Sequence, residues 1–263
     1  MPGPFLYVRP MDTPEFTLNR FASFDGAELA WHEGGAGRTV VLLHGLFSNA
    51  QTNWIRYGHA KLLVNNHFRV VMPDLRAHGE SAKPHDAQGF PADVLTRDCL
   101  SLIAHLGLSD YDLGGYSLGA RTVARAVVNG AKPRRLILSG MGVSGMTNTA
   151  PRTDHFKHIL DNRGTFERFT PEWNADSFLK TTRGDSVSLR LLLDTFVDTS
   201  AEDLRAIAMP TMVLSGAEDN DNGSVDDLAA ILPAAAVQRT PGGHMSAVTK
   251  PELGQAITDF LTA

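Results

Sequence analysis

The chain has a single cysteine, Cys99, which excludes any disulfide within it. Cys99 sits in a helix-like stretch with Leu100, Leu102 and Ile103, so a core thiol is expected there rather than a reactive one. No apolar run is long enough to span a bilayer. Neither sign of charge dominates: 24 lysines and arginines face 29 acidic residues, interspersed, for a net charge of −5. That balance leaves no footprint for nucleic acid and no basic face for an anionic membrane, so the expected partner is a small molecule. The first ten residues, Met1 to Pro10, lack a basic start followed by a long apolar stretch. No signal peptide is expected, and the expected compartment is the cytoplasm. Internal repeats and low-complexity segments are absent too, and the sequence is silent on oligomeric state.

What is present is an alternation of strand-like and helix-like segments, the pattern of a mostly parallel sheet. A leading hairpin is expected over 16–21 and 28–32 with its turn at Asp25-Gly26, then strands at 40–44, 68–72, 111–114, 135–139, 211–214 and 236–239. Helices fit at 52–64, 92–106, 118–129, 225–231 and 251–261. At 263 residues, one open α/β sheet can bury a large core. The stretch between the strands at 135–139 and 211–214 exceeds what one crossover helix requires.

Gly115-Tyr116-Ser117-Leu118-Gly119 places a serine between glycines where a strand gives way to a helix. A turn this sharp strains its central residue and leaves no room for side chains at its flanks. The serine oxygen then stands clear, and the N–H of Leu118 at the helix start is free to face an oxyanion. A serine hydroxyl is a poor nucleophile without a base, and the base needs an orienting acid. Downstream, Ser215-Gly216-Ala217-Glu218-Asp219 follows a strand, and Thr240-Pro241-Gly242-Gly243-His244 follows another. The order Ser, Asp, His is that of one hydrolase architecture.

With these motifs the chain resembles the α/β-hydrolase superfamily, and specifically its capped, carboxylesterase-like serine hydrolases. Val40-Val41-Leu42-Leu43-His44-Gly45-Leu46 resembles that family's third strand and oxyanion loop, and Asp74-Leu75-Arg76-Ala77-His78-Gly79-Glu80-Ser81 its loop after strand four. One departure is Ala120, where many members carry a second glycine after the elbow. The resemblance implies an eight-stranded, mostly parallel sheet with helices on both faces. It also implies a helical cap over 145–205, inserted after strand six into a core formed by 1–144 and 206–263.

For the site, it implies Ser117 as nucleophile, His244 as base and Asp219 as acid, with Asp221 as the rival acid. The backbone N–H groups of Leu46 and Leu118 become the oxyanion donors. His44 is expected to brace its loop, Asp74 and His78 either to brace theirs or to touch substrate, and Asp98 to be a solvated or capping carboxylate. Tyr116, Phe169 and Trp173 are the expected pocket residues, the last two because Thr170-Pro171 puts a bend beside them. His155 and His158 lie three apart, but no carboxylate or cysteine completes a metal set, so no metal is expected. Acyl transfer to water needs no cofactor, and the expected substrate is an ester of a small, largely apolar molecule. Lactones and thioesters compete closely, as do a carbon–carbon bond (diketone) hydrolase and a cofactor-free perhydrolase. A ligand receptor on the same fold is the alternative of a different class. Ser117 argues against the superfamily's epoxide hydrolases and haloalkane dehalogenases, which use an aspartate nucleophile.

Overall fold

The computed structural model describes residues 15–263, so the N-terminal segment read for a signal sequence lies outside the described residues. Among the described residues eight strands form one sheet: β1 (Thr17–Ala22), β2 (Glu28–Gly34), β3 (Arg38–Leu43), β4 (Phe68–Pro73), β5 (Tyr111–Tyr116), β6 (Leu136–Ser139), β7 (Thr211–Gly216) and β8 (Ala235–Thr240). Their order is β1-β2-β4-β3-β5-β6-β7-β8. β2 runs antiparallel to both of its neighbours, and every pair from β4 to β8 is parallel. This is the α/β-hydrolase fold.

The strand period of two explains the layering. Val41 and Leu43 of β3, Leu136 and Leu138 of β6 and Val213 of β7 enter one core, while Val40, Leu42, Ile137, Met212 and Leu214 enter the other. A sheet covered on both faces reads as continuous aliphatic runs, and each fully buried aliphatic side chain stabilises by about 1.5–3 kcal/mol. The first core is closed by α2 (Val94–His105), α3 (Leu118–Val128), α8 (Ala201–Arg205) and α9 (Val225–Ile231), the second by α1 (His59–Asn65) and α10 (Pro251–Thr262). Between β6 and α8 run α4 (Val143–Thr147), α5 (Ala150–Asp161), α6 (Pro171–Thr181) and α7 (Ser186–Leu192). Leu160, Leu179, Leu189 and Leu192 of these helices are buried in continuity with the first core.

Two expectations need correction. The single helix expected over 52–64 is broken into a π-type turn, Gln51–Ile55, and α1. Gly58 between them is left-handed at φ 84°, a conformation cheap for glycine alone, and the apolar pattern reads straight through it. Asp98 is not solvated: it is buried, accepts from Ser23 Oγ, and grips the fully buried Arg76, which also holds Asp25 in the hairpin turn. Burial pushes the Asp98 carboxyl up against the pull of Arg76. Next to it Cys99 is buried, and its thiol is pushed up to about 12, which makes it inert.

The strand order sets the place of the site. From β3 the chain crosses to β4 on one side, and from β5 it crosses to β6 on the other, so a crevice opens where β3 and β5 end side by side. Leu43 pairs with Gly115 there, which brings the loop after β3 against the turn after β5.

Candidate active site

Ser117 occupies the turn between β5 and α3 at φ 54° and ψ −114°. A non-glycine residue held in such a region costs about 1–3 kcal/mol, which the surrounding contacts must offset. The turn is pinned by the Ser117 N–H donating to the Ser139 carbonyl at 2.8 Å. Its glycines are steric requirements. A Cβ on Gly115 would lie 2.2 Å from the carbonyl carbon of Gly119, and one on Gly119 would lie 2.2 Å from the carbonyl oxygen of Leu43. Ala120 is fully buried in the core without strain of this kind, so the departure from a second glycine is accommodated.

His244, from the loop after β8, reaches Ser117 Oγ with Nε2 at 3.0 Å and Asp219 Oδ2 with Nδ1 at 2.8 Å. Asp219 lies after β7 and accepts the Asp221 N–H on its other oxygen at 3.1 Å. Burial raises the Asp219 carboxyl and the His244 hydrogen bond lowers it, with a net result below its ordinary value. It is therefore a carboxylate at neutral pH. Asp221 makes no hydrogen bond to the imidazole and pairs instead with Arg152 Nη2 of α5 at 2.9 Å. Asp219, Asp221 and His244 form a cluster compact enough to ligate an ion, but Asp219 and His244 already bond one another and Asp221 is engaged by Arg152. His155 and His158 do not share a site: His155 lines the cavity, and His158 bonds Asn162 beside the Phe166 ring.

Among the described residues neither the Leu46 nor the Leu118 N–H meets an acceptor. Both residues line space that also touches Ser117. The loop carrying Leu46 is held from beneath. His44, fully buried, donates from Nδ1 to its neighbour's carbonyl at Gly45 and accepts the Leu75 N–H at Nε2. His78 donates from Nδ1 to the Arg76 carbonyl and accepts the Phe47 N–H at Nε2. The Asp74 carboxylate accepts from the Ala50 and Glu80 amides. None of the three lines the cavity, so between bracing and substrate contact the structure assigns them bracing.

The cavity above Ser117 measures about 920 Å³. Its apolar wall comes from Leu46, Phe47, Phe156 and Phe178, and polar side chains of Asn148, Arg152, His155 and Glu172 enter it as well. All three expected pocket residues are displaced. Phe169 is 81% exposed and lies against the Trp173 ring at 5.5 Å, and neither lines the cavity. The bend at Thr170-Pro171 leaves Phe169 in solvent with Trp173 half-buried against it, and α6 brings Ala175 and Phe178 to the cavity instead. Tyr116 points beneath the elbow, packs in the second core, and donates its hydroxyl to the His244 carbonyl at 2.5 Å. Arg152, His155 and Phe156 were overlooked as pocket residues, although their i, i+3 and i, i+4 spacings place them on one face of α5.

Among the described residues no helix is long and apolar enough to cross a membrane. Several known proteins are similar to this chain. The chain is 26% identical over 227 residues to a non-heme haloperoxidase of Rhodococcus erythropolis, covering 74% of this chain and 80% of that protein. It is 31% identical over 129 residues to the 2-hydroxy-6-oxo-2,4-heptadienoate hydrolase of Pseudomonas putida, covering 48% of this chain and 46% of that one. A thermophilic esterase from Thermogutta terrifontis has the same fold, with a TM-score of 0.74 and 23% identity over 94% of this chain and 98% of its own. The family described as "Alpha/beta hydrolase family" matches residues 40–253. With that match spanning most of its length, and with the strand order and the elbow already described, the chain belongs to the alpha/beta hydrolase family.

Proposed function

We propose that this chain is a serine hydrolase that cleaves a carboxylic ester through an acyl-enzyme on Ser117, with residues 145–205 as the cap that roofs the site. The observation that carries the reading is the continuous hydrogen-bonded line from Ser117 Oγ through His244 to Asp219 beside two unoccupied backbone donors. As Ser117 Oγ bonds to the substrate carbonyl carbon, His244 Nε2 takes its proton, and the Leu46 and Leu118 amides hold the oxyanion. Asp219 fixes the Nδ1–H tautomer and stabilises the imidazolium. The bond to the alcohol oxygen then breaks, and His244 returns the proton to that oxygen. Water repeats the sequence on the acyl-enzyme and releases the acid and free Ser117.

The line from Ser117 to Asp219 supports lactone and thioester hydrolysis by the same steps. The hydrolase relative in Pseudomonas putida keeps a carbon–carbon cleavage in view as a second reading. Labelling of Ser117 by a fluorophosphonate, followed by turnover of graded esters, lactones, thioesters and a diketone, separates these. Labelling with ester turnover supports the proposal. Labelling with diketone turnover alone moves the function to carbon–carbon cleavage, and labelling without any turnover favours a receptor.

A further inference from the structure

A second, smaller arm of about 40 Å³ leads off beside Ser117, and Leu46, Leu118, Met141, Phe156 and Phe196 give it apolar walls. Arg121 lines it too. This residue sits on α3 four positions after Ser117, hence on the same side of the helix and about 6 Å along its axis. Arg121 is only 6% exposed, and no carboxylate pairs with it. Its Nη2 donates to the Val197 carbonyl at 2.8 Å, its Nε is buried without an acceptor, and its Nη1 makes no hydrogen bond among the described residues. The guanidinium lies 4.3 Å from the centre of the Phe196 ring.

Other arginines of the chain are neutralised. Arg125 pairs with Asp93, Arg152 with Asp221, and the buried Arg76 with Asp25 and Asp98. No acidic residue lines the arm. The Asp93 and Asp198 carboxylates favour its charge from a distance, but neither is in salt-bridge contact with it; a buried cation without such contact is unfavourable, and tethering Val197 requires only one neutral donor. Burial pulls the Arg121 guanidinium down to about 10, so it keeps its charge at neutral pH.

We propose that Arg121 receives a carboxylate on the acyl half of the substrate, so that the preferred esters are hemiesters of short dicarboxylic acids. This rests on the ester-hydrolase reading of Ser117. A water needs roughly 10–15 Å³ of such space, so the arm holds about three water-sized groups, the size of the carboxylate itself, and two or three methylenes reach it from Ser117 through the adjoining main cavity. Hemiester and water give the dicarboxylate and the alcohol, with the bonds and protons moving as described for the simple ester. The planar fork of arginine binds the carboxylate through two parallel hydrogen bonds.

The experiment compares 4-nitrophenyl hemiglutarate with its neutral isostere, 4-nitrophenyl 5-methylhexanoate, in the wild type, Arg121→Met and Arg121→Lys. The wild type is expected to favour hemiglutarate in kcat/KM by about tenfold or more. In Arg121→Met that ratio falls at least about 30-fold, mainly through KM, and Arg121→Lys restores part of it. A wild type that prefers the neutral ester, or a ratio unmoved in Arg121→Met, overturns the carboxylate site and leaves the ester reading standing. If neither ester is turned over, the ester reading fails, and calorimetry with glutarate decides the site by itself. Glutarate binding to the wild type and to Arg121→Lys supports the site, and no binding to the wild type overturns it.

Discussion

Lowering the pH from 7 to 5 is expected to weaken the fold chiefly through His44 and His78. Each ring donates from Nδ1 and accepts a backbone N–H at Nε2, an arrangement open only to neutral imidazole. Burial holds His44 down to about 4, and burial with the neighbouring His44 holds His78 down to about 3. Both start from 6.5 in the unfolded chain. The folded state thus binds fewer protons, so their contribution is whole above pH 6.5 and is lost as pH falls from there toward the folded values. At pH 5 each ring forfeits about 2 kcal/mol, about 4 together, against a total of roughly 5–15 kcal/mol for a typical domain. Unfolded carboxylates remain mostly ionised in this window, so they compete little. His59, also buried and lowered, adds to the loss in the same direction. Denaturant unfolding at pH 7 and pH 5 reads the total, and His78→Gln isolates one share. The variant's loss between the two pH values should be smaller than the wild type's by about 2 kcal/mol, whatever its stability at pH 7. Equal losses in the two proteins, or a wild-type loss under about 1 kcal/mol, would refute the reasoning. The outcome bears on function because these rings carry the loop that presents the Leu46 N–H.

Asp219→Asn should lower kcat on a simple ester by on the order of 10²- to 10⁴-fold by presenting the wrong His244 tautomer, whereas Asp221→Asn should have a far smaller effect; the reverse ranking in steady-state kinetics would reassign the acid. Ser117→Ala and His244→Ala should each remove nearly all turnover, and the double variant should be no worse than either, because the pair acts as a unit. Near wild-type rates in Ser117→Ala would remove it as nucleophile. Phe156→Ala and Phe178→Ala should shift the preferred acyl length, since a pocket contact of methylene size discriminates by roughly 1–3 kcal/mol, while Phe169→Ala should not. A chain-length profile that moves with Phe169 and not with the other two would place the pocket wall elsewhere.

Most of the sheet was legible because strand alternation and turn sterics belong to residues adjacent in the chain. Val40 to Leu43 announce their two-sided burial by being aliphatic throughout, and Gly115 and Gly119 announce a turn that admits no Cβ. The break at Gly58 was not legible, because a glycine inside an apolar pattern is compatible with either a continuous or an interrupted helix. Asp98 was misread for a related reason: its burial depends on Arg76, which comes from another element 22 positions away.

By itself, then, the sequence determined that a serine, an acid and a histidine each follow a strand at the same edge of one sheet, since local periodicity and steric limits suffice for that. Tertiary structure alone brings Asp219, and not Asp221, into hydrogen-bond contact with His244. The two lie two residues apart in one loop, and the direction of that loop gives the first to His244 and the second to Arg152. It likewise decided that Phe47, Phe156 and Phe178 wall the cavity while Phe169 faces solvent, and that Arg121 is left without a carboxylate in direct contact. Side-chain direction in the helices between β6 and α8, and the pairing of a buried charge, depend on surfaces contributed by segments far apart in the chain. No spacing along the chain encodes them.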